Sequence, residues 1–233
     1  MSNPYFSFKQ FTVWHDQCAM KVGTDGVLLG TWANVSDAKT ILDIGTGTGL
    51  MALIAAQRNS EANITGIDID FAATEQAAEN VKKSPWKDRI KIELADVRKF
   101  RPEKSFDAIL CNPPYFQNSL KCPDQQRAIA RHTDALSLDE LLGCVRKLIN
   151  DNGEFSVILP CIEGKELENL AFIHSLYTAR RTYVHTTSES APKRILLSFK
   201  KTQVPVVEKH LTIGRDKSSY SEEFKNMVAE FYL

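Results

Sequence analysis

The hydrophobic residues of this chain form short continuous runs that alternate with longer segments of helical periodicity. The runs are rich in isoleucine, leucine and valine, a composition typical of strands that are buried on both faces of a sheet. Seven such runs predict strands at 40–44, 64–69, 90–95, 107–111, 155–159, 182–187 and 194–200. Between them, helices are predicted at 49–58, 72–81, 137–151 and 164–177.

This alternation of strands and helices predicts the α/β class, with a mostly parallel, doubly wound, Rossmann-like sheet of seven strands. The third predicted helix has specific signals at both ends: Ser137 and Glu140 have the spacing of a capping box, and Asn152-Gly153 is a stop signal. No helical segment separates the last two strands, so we expect an antiparallel hairpin at one sheet edge.

The chain length fits one domain, and we find no linker, repeat or low-complexity tract. We therefore predict a single domain over residues 1–233, with an N-terminal extension at 1–39 and a C-terminal tail at 203–233. The tail ends in Phe231-Tyr232-Leu233, which we expect to pack on the body of the domain.

Composition excludes several classes of protein. The 29 basic and 29 acidic residues cancel, so any contact with nucleic acid must use local basic patches. No apolar run is long enough to cross a membrane and the N-terminus lacks a secretory signal, so we predict a cytoplasmic protein. The cysteines and histidines lack metal-ligand spacing, so we predict no metal, and we expect no obligate protein partner.

A glycine-rich turn falls directly between the first predicted strand of the sheet and the helix that follows it. It reads Asp43-Ile-Gly45-Thr-Gly47-Thr-Gly49, and glycines at this point allow a ligand to approach the backbone closely. Dinucleotide enzymes use similar turns. The aspartate two residues before the first glycine is instead typical of methyltransferases that bind S-adenosylmethionine, where it organises the region around the ammonium of the cofactor.

Two further aspartates follow predicted strands and extend this cofactor site. Asp68 ends the second strand about twenty residues after the glycines, where an acidic side chain accepts hydrogen bonds from ribose hydroxyls. Asp70 already lies in the loop, so we interpret it as a helix cap. Asp96 ends the third strand and is a candidate acceptor for the adenine amine, with a loop-capping role as the alternative.

The sequence Asn112-Pro113-Pro114-Tyr115 follows the fourth strand, at the sheet edge where doubly wound folds place their chemistry. The Asn112 side-chain carbonyl and the Pro113 backbone carbonyl can accept both hydrogens of an –NH₂ group, and Tyr115 offers a ring for stacking. The two prolines make the turn rigid. Phe116 either extends the stacking wall or packs in the core. These residues predict a methyl acceptor that is an amine nitrogen.

Together with the glycine turn, segments 8–11, 20–32, 112–116 and 231–233 resemble the bacterial family of valine tRNA adenine-37 N6-methyltransferases. The resemblance implies a methyltransferase fold, S-adenosylmethionine as cofactor and tRNA as partner. It also implies that Lys21, Thr24 and Asp25 close over the methionine end of the cofactor. From the residues alone, Thr24 or Asp25 can equally be a helix cap.

Four basic residues are candidates for contact with the RNA. Arg131 and His132 follow a long loop on the side where the substrate must enter, and Lys193 and Arg194 form a basic pair. Charged pairs at element ends are otherwise ordinary solvated surface.

The Asn-Pro-Pro-Tyr chemistry alone leaves other acceptors open. The same motif serves enzymes that methylate a protein glutamine, DNA adenine or ribosomal RNA adenine. The segment before residue 40 is too short for the helical domain of the first group, and the recognition domain of the second is absent. An RNA-binding module that keeps the fold without turnover is a further alternative.

Overall fold

The computed structural model describes residues 3–18, 21–113, 136–214 and 219–233. The helices in chain order are α1 Thr24–Trp32, α2 Leu50–Arg58, α3 Phe71–Lys82, α4 Leu138–Leu148, α5 Cys161–Ile173 and α6 Glu222–Val228. The strands are β1 Tyr5–Ser7, β2 Thr12–Trp14, β3 Thr40–Ile44, β4 Asn63–Asp68, β5 Ile90–Leu94, β6 Phe106–Cys111, β7 Ile149–Pro160, β8 Tyr177–His185, β9 Pro192–Lys200 and β10 Val207–Thr212.

Strands β3 to β10 form one sheet in the order β10-β8-β9-β7-β6-β3-β4-β5, while β1 and β2 form a separate hairpin. Neighbouring strands from β5 to β7 pair in parallel, and β9 is antiparallel to both of its neighbours, β7 and β8. The predicted α/β class, the mostly parallel sheet and the antiparallel β8–β9 hairpin are confirmed.

The expected number of seven strands is wrong, because β10 adds an eighth strand parallel to β8. Four of its six residues are exposed, as an edge strand permits, so it carries no apolar signal in the sequence. The segment expected to be a polar tail therefore contributes to the sheet before it reaches α6.

Several element boundaries also differ from the predictions, and among them β8 begins at Tyr177 rather than at 182. Strand β7 begins at Ile149, well before the expected helix stop at Asn152-Gly153. Helix α5 begins at Cys161, directly after Pro160. It ends at Ile173, and Ser175 has a left-handed φ of 54°, which breaks the helix before the predicted end at 177.

Two predicted caps are confirmed by their hydrogen bonds. The Glu140 amide donates to Ser137 Oγ at 3.1 Å and the Ser137 amide donates to Glu140 Oε2 at 2.9 Å, which completes the capping box of α4. The Ala72 amide donates to Asp70 Oδ1 at 2.8 Å, so Asp70 caps α3. Both helices begin where their caps predict.

The sheet separates two hydrophobic cores. One includes buried residues of α1, α2 and α6 together with the β1–β2 hairpin, and the other includes those of α4 and α5. The two chain ends meet: the Lys9 amide donates to the Phe231 carbonyl at 2.8 Å, and Phe231 is buried. None of the helices in the described ranges is long and apolar enough to cross a membrane.

Close packing of α1 on α2 fixes the position of the first turn of α1. A Cβ atom at Gly30 would lie 3.0 Å from Ile54 Cγ2, and one at Gly26 would lie 3.0 Å from Leu50 Cδ2. Only residues without a Cβ allow the two helices to approach this closely. As a result, the first turn of α1 lies beside the loop that opens α2.

Candidate active site

The carboxyl ends of β3 and β6 meet at one edge of the sheet, because the two strands pair in parallel with Ile44 opposite Cys111. The residues that follow them, Gly45 and Asn112, therefore leave the sheet side by side. This is the crevice in which open α/β sheets bind their ligands.

The three glycines of the predicted cofactor turn all have positive φ angles, which are 69° at Gly45, 55° at Gly47 and 80° at Gly49. Side chains with a Cβ rarely adopt these angles. The Gly45 amide donates to the Ile67 carbonyl at 2.9 Å, and the Gly47 amide donates to Asp68 Oδ2 at 2.9 Å. The loop is thereby fixed to the end of β4.

Asp43 is fully buried beneath this loop. Its Oδ2 atom accepts hydrogen bonds from Thr46 Oγ1 at 2.8 Å and from the Ala52 amide at 3.2 Å. Its Oδ1 atom is also buried and has no hydrogen-bond partner among the described residues. Burial raises the pKa of Asp43 to about 7, although its two hydrogen bonds act in the opposite direction. One buried carboxylate oxygen is thus left to accept from a ligand.

Asp68 and Asp96 both engage backbone groups at the ends of their strands. Besides the Gly47 amide, Asp68 accepts the Asp70 amide on Oδ1 at 3.0 Å. Asp96 binds the Arg98 guanidinium, whose Nη2 lies 2.9 Å from Oδ2, and this hydrogen-bonded pairing lowers the pKa of Asp96. The Arg98 amide donates to Asp96 Oδ1 at 2.9 Å, so Asp96 does organise its loop.

A cavity of about 460 Å³ opens between the glycine loop and the first turn of α1. It brings together five of the predicted site residues, which are Lys21, Thr24, Gly45, Gly47 and Asn112. Asp43, Gly49, Asp68 and Asp96 surround the loop and the neighbouring strand ends without lining this cavity. Asp25, which the family resemblance places beside Lys21 and Thr24, also lines the cavity, and the remaining lining residues are Val22, Gly23, Gly26, Thr46, Thr48, Leu50 and Met51.

Asn112 contributes an unsatisfied acceptor to this cavity. Its Oδ1 atom is buried and has no hydrogen-bond partner among the described residues. Such an atom costs about 1–3 kcal/mol when it is left without a partner. The cavity therefore contains a hydrogen-bond acceptor directly after β6, the strand that pairs with β3. This is the position where the sequence predicts catalysis.

Five of the predicted site residues lie outside the described residues. They are Pro114, Tyr115, Phe116, Arg131 and His132. Their roles in stacking and RNA contact remain predictions from the sequence.

Arg194 and Asp25 form an ion pair at the rim of the cavity, with Arg194 Nε 3.0 Å from Asp25 Oδ2. This contact joins β9 to the first turn of α1. Gly23 occupies the N-cap position of α1 without a side-chain hydrogen bond, so the alternative in which Thr24 or Asp25 caps the helix is wrong. Lys193, beside Arg194, is exposed.

Two buried threonines of the cavity wall, Thr46 and Thr48, were not predicted as site residues. Thr46 is the residue that holds Asp43, and a Cβ on Gly66 would lie only 2.7 Å from Thr46 Oγ1. The alternation of threonine with glycine in the loop is the signal that identifies both. Ile69 and Phe71, large apolar side chains that follow β4, are more than 60% exposed beside Asp68.

Comparison with protein families places these observations in a known context. Residues 19–148 match the family described as the Methyltransferase small domain. The chain is 54% identical to the tRNA1(Val) (adenine(37)-N6)-methyltransferase of Phocaeicola vulgatus, with 100% of this chain and 99% of the relative covered. It is 48% identical to the protein of the same name from Bacteroides thetaiotaomicron, with the same coverage.

Solved structures share the fold at much lower identity. A predicted O-methyltransferase from Agrobacterium tumefaciens superimposes with a TM-score of 0.70 at 16% identity, covering 89% of this chain and 96% of that one. A glycopeptide N-methyltransferase in complex with S-adenosylmethionine superimposes with a TM-score of 0.57 at 11% identity, covering 77% of this chain and 99% of that one. Identity this low shows the fold alone.

Proposed function

Because this chain belongs to the family of bacterial tRNA1(Val) (adenine(37)-N6)-methyltransferases, we propose that it methylates N6 of adenine 37 in a valine tRNA, with S-adenosylmethionine as the methyl donor. The structural observation that carries the proposal is the Oδ1 atom of Asn112, which is buried in the cavity beside the glycine loop and has no hydrogen-bond partner within the described ranges. An amide oxygen in that position is a suitable acceptor for an aromatic –NH₂ group.

The residues of the glycine loop fit S-adenosylmethionine. Among the described residues, one buried carboxylate oxygen of Asp43 has no hydrogen-bond partner, and a Cβ on Gly45 would meet no atom within 4 Å, so a ligand has room there. Asp68 retains acceptor capacity for ribose hydroxyls beside its two amide hydrogen bonds. When bound, the cofactor supplies an electrophilic methyl group on a sulfonium.

The other cofactor contacts follow from position. We assign Lys21 and Thr24 to the methionine end of the cofactor, because they line the cavity beside Gly45 and Gly47. Gly49 opens α2 as its N-cap and allows the turn. Asp96, which also pairs with Arg98, is the proposed hydrogen-bond acceptor for the adenine amine of the cofactor.

The catalytic residues act on the target amine. Asn112 Oδ1 and the Pro113 carbonyl accept its two hydrogens, which directs the nitrogen lone pair toward the methyl group. Pro114 keeps the turn rigid, and Tyr115, with Phe116 beside it, stacks on the extruded base. No strong general base is needed, because the nitrogen becomes acidic only after methylation and solvent can take the proton.

Basic residues around this edge bind the RNA. We assign phosphate contacts to the exposed Lys193 and to Arg131 and His132. Arg194 contributes while it is held at the cavity rim by Asp25. We further propose that the enzyme acts in the cytoplasm, without a metal ion and without an obligate protein partner.

The test is methyl transfer by the purified chain to two transcripts of the valine tRNA, one with adenine and one with guanine at position 37. Digestion to nucleosides and mass spectrometry should find N6-methyladenosine in the first transcript alone. Addition of a metal chelator should not change the yield. Methylation that persists in the guanine-37 transcript, or transfer to a protein glutamine or ribosomal RNA instead, would contradict the proposal.

A further inference from the structure

A second cavity, of about 440 Å³, lies at the opposite edge of the sheet from Asn112. The ends of α1 and α2 contribute Trp32 and Arg58 to its wall, and the sheet contributes Glu154, Arg180 and Lys200. Helix α1 begins at the first cavity and ends at the second, so its nine residues separate the two by about 13 Å. The second cavity is therefore independent of the proposed active site.

Two cationic side chains share one carboxylate in this wall, and a third cation lines the same cavity. Glu154 is buried, Arg180 Nη2 lies 2.8 Å from its Oε1 atom, and Lys200 Nζ lies 3.6 Å from its Oε2 atom. Arg58 is the third cation of the wall. Among the described residues that line the cavity, the formal charges leave an excess of two positive charges.

Arg58 has unused hydrogen-bond donors in this arrangement. Its Nη1 atom donates to the Gly30 carbonyl at 2.8 Å and to the Ala33 carbonyl at 2.6 Å, at the end of α1. The Nε and Nη2 atoms have no hydrogen-bond partner among the described residues. Burial and the positive charge of Arg180 lower the pKa of Arg58, while Glu230 acts in the opposite direction. A bound anion would relieve this repulsion between cations.

Trp32 makes the wall rigid. The Arg180 guanidinium lies over the Trp32 ring with its carbon 3.9 Å from the ring centroid, and Trp32 Nε1 donates to Thr182 Oγ1 at 3.0 Å. Arg180 also donates from Nη1 to the Trp32 carbonyl at 3.3 Å. The cationic wall is held in place by these contacts before any ligand arrives.

We propose that this second cavity binds a phosphate group, with Arg58 and Lys200 as its main donors. A guanidinium with free N–H groups and a flexible ammonium are the two side chains that recognise phosphate oxygens most often. The phosphate belongs either to a small phosphorylated compound or to the backbone of an RNA.

The test is calorimetric titration with inorganic phosphate at constant ionic strength, with intrinsic tryptophan fluorescence as a second readout, to which Trp32 contributes together with Trp14 and Trp86. Lys200→Gln should weaken saturable binding by about tenfold, since it removes one charge-assisted contact. Lys201→Gln is the matched control, because Lys201 pairs with Asp151 and does not line the cavity. Arg58→Lys keeps the charge, removes donors and should also weaken binding.

Thermal unfolding of each variant shows whether it is folded. The absence of saturable phosphate binding to the parent protein, or equal weakening by Lys200→Gln and Lys201→Gln, would overturn the proposal.

The source of the phosphate is resolved by repeating the titrations with a nucleoside monophosphate and with full-length tRNA. A tRNA affinity that falls in Lys200→Gln but not in Lys201→Gln identifies the RNA backbone. Weakening that is confined to the monophosphate identifies a small ligand. Methyl transfer to a short anticodon hairpin should be unchanged in Lys200→Gln, so the phosphate site and the proposed activity can fail separately.

Discussion

Two buried oxygen atoms near the glycine loop, on Asp43 and on Asn112, have no hydrogen-bond partner among the described residues, and of the two residues Asn112 lines the cavity. Each costs stability, because folding removes it from water and the described residues offer no replacement donor. Asp43 lies beneath the glycine loop and Asn112 on its open side, so donors from two different molecules can satisfy them. The ammonium of a cofactor suits the carboxylate, and the amine of a substrate suits the amide.

The replacement Asn112→Ala should separate binding from chemistry. Cofactor affinity should barely change, because the proposed cofactor contacts come from the glycine loop and Asp68. Single-turnover methyl transfer should slow by about 10²–10³-fold, the range observed when one preorganised transition-state hydrogen bond is lost. Asn112→Asp retains an acceptor at the same point and serves as the matched variant. Transfer by Asn112→Ala at the parental rate would mean that the Asn-Pro-Pro turn is only structural.

The buried carboxyl of Asp43 should make cofactor affinity depend on pH. Its pKa is raised to about 7, so below that pH the side chain is increasingly protonated and cannot attract an ammonium. Binding must then release a proton, and affinity should fall by up to about tenfold per pH unit below 7. Calorimetry between pH 5.5 and 7.5 measures this slope.

Asp43→Asn is the control for this pH dependence, since an asparagine can still accept from Thr46 and Ala52 but does not titrate. Its affinity should be lower than that of the parent at pH 7.5 and nearly constant across the range. The free energy of unfolding should depend on pH in the direction opposite to that of cofactor affinity. Because the folded-state pKa exceeds the ordinary value of 3.8, stability should fall as pH rises from about 4 to 7. An equal slope in parent and variant would assign the dependence to another group.

At the scale of the elements, β4 packs closely against the glycine loop at Gly66, where only a residue without a Cβ leaves room for Thr46. Gly66→Ala would place a Cβ 2.7 Å from Thr46 Oγ1 and 2.8 Å from Ile92 Cδ1, so Thr46 must move and release Asp43. We expect a loss of about 1–3 kcal/mol in the free energy of unfolding together with weaker cofactor binding.

Gly143→Ala in α4 is the matched control, because its Cβ would make an ordinary contact 3.5 Å from His174. Alanine is the better helix former, so this variant should be about 0.5–1 kcal/mol more stable than the parent. Denaturant unfolding and calorimetry on both variants make the comparison. If Gly66→Ala were as stable and bound the cofactor as well as Gly143→Ala, the coupling between β4 and the loop would be absent.

The elements that the sequence predicts correctly have strong local signals. Strand β3 has the predicted bounds and contains the buried residues Ile41, Leu42 and Ile44, and α4 begins at its capping box. Strand β10 was missed because an exposed edge strand has no apolar pattern, and its pairing with β8 is a contact between distant segments. Hydrophobic periodicity records burial, so it cannot find an element that stabilises the sheet mainly through backbone hydrogen bonds.

The same distinction applies to the candidate site. The glycine turn and Asn112 are local motifs, and parallel pairing of β3 with β6 brings them together as expected. The pair of Arg194 with Asp25 joins residues 169 positions apart, and no local pattern predicts it. Sequence therefore identifies the chemistry of the site better than it identifies the contacts that hold the site in shape.

At the scale of the whole molecule, zero net charge has to be reconciled with an RNA substrate. The two are compatible if the phosphates that flank the target base are bound by a local basic patch at the edge of the sheet that carries Asn112. Lys193 is the second residue of β9 and lies at the edge that carries Asn112, whereas Lys87 precedes β5 at the opposite edge. Lys193 and Lys87 are both exposed, so the main difference between them is their position on the sheet.

This difference predicts how salt should act on binding of the tRNA. Log affinity should fall linearly with log salt, and each phosphate contact should contribute about 0.7–0.9 to the slope. Lys193→Gln should reduce the slope by about one such contact, whereas Lys87→Gln should leave it unchanged. Arg194→Gln should also disturb the cavity, because it breaks the pair with Asp25, so its effect should extend to cofactor affinity. Fluorescence anisotropy with a labelled tRNA between about 50 and 200 mM salt gives the slopes. A flat salt response, or equal slopes for Lys193→Gln and the parent, would exclude a phosphate-dominated interface at this edge.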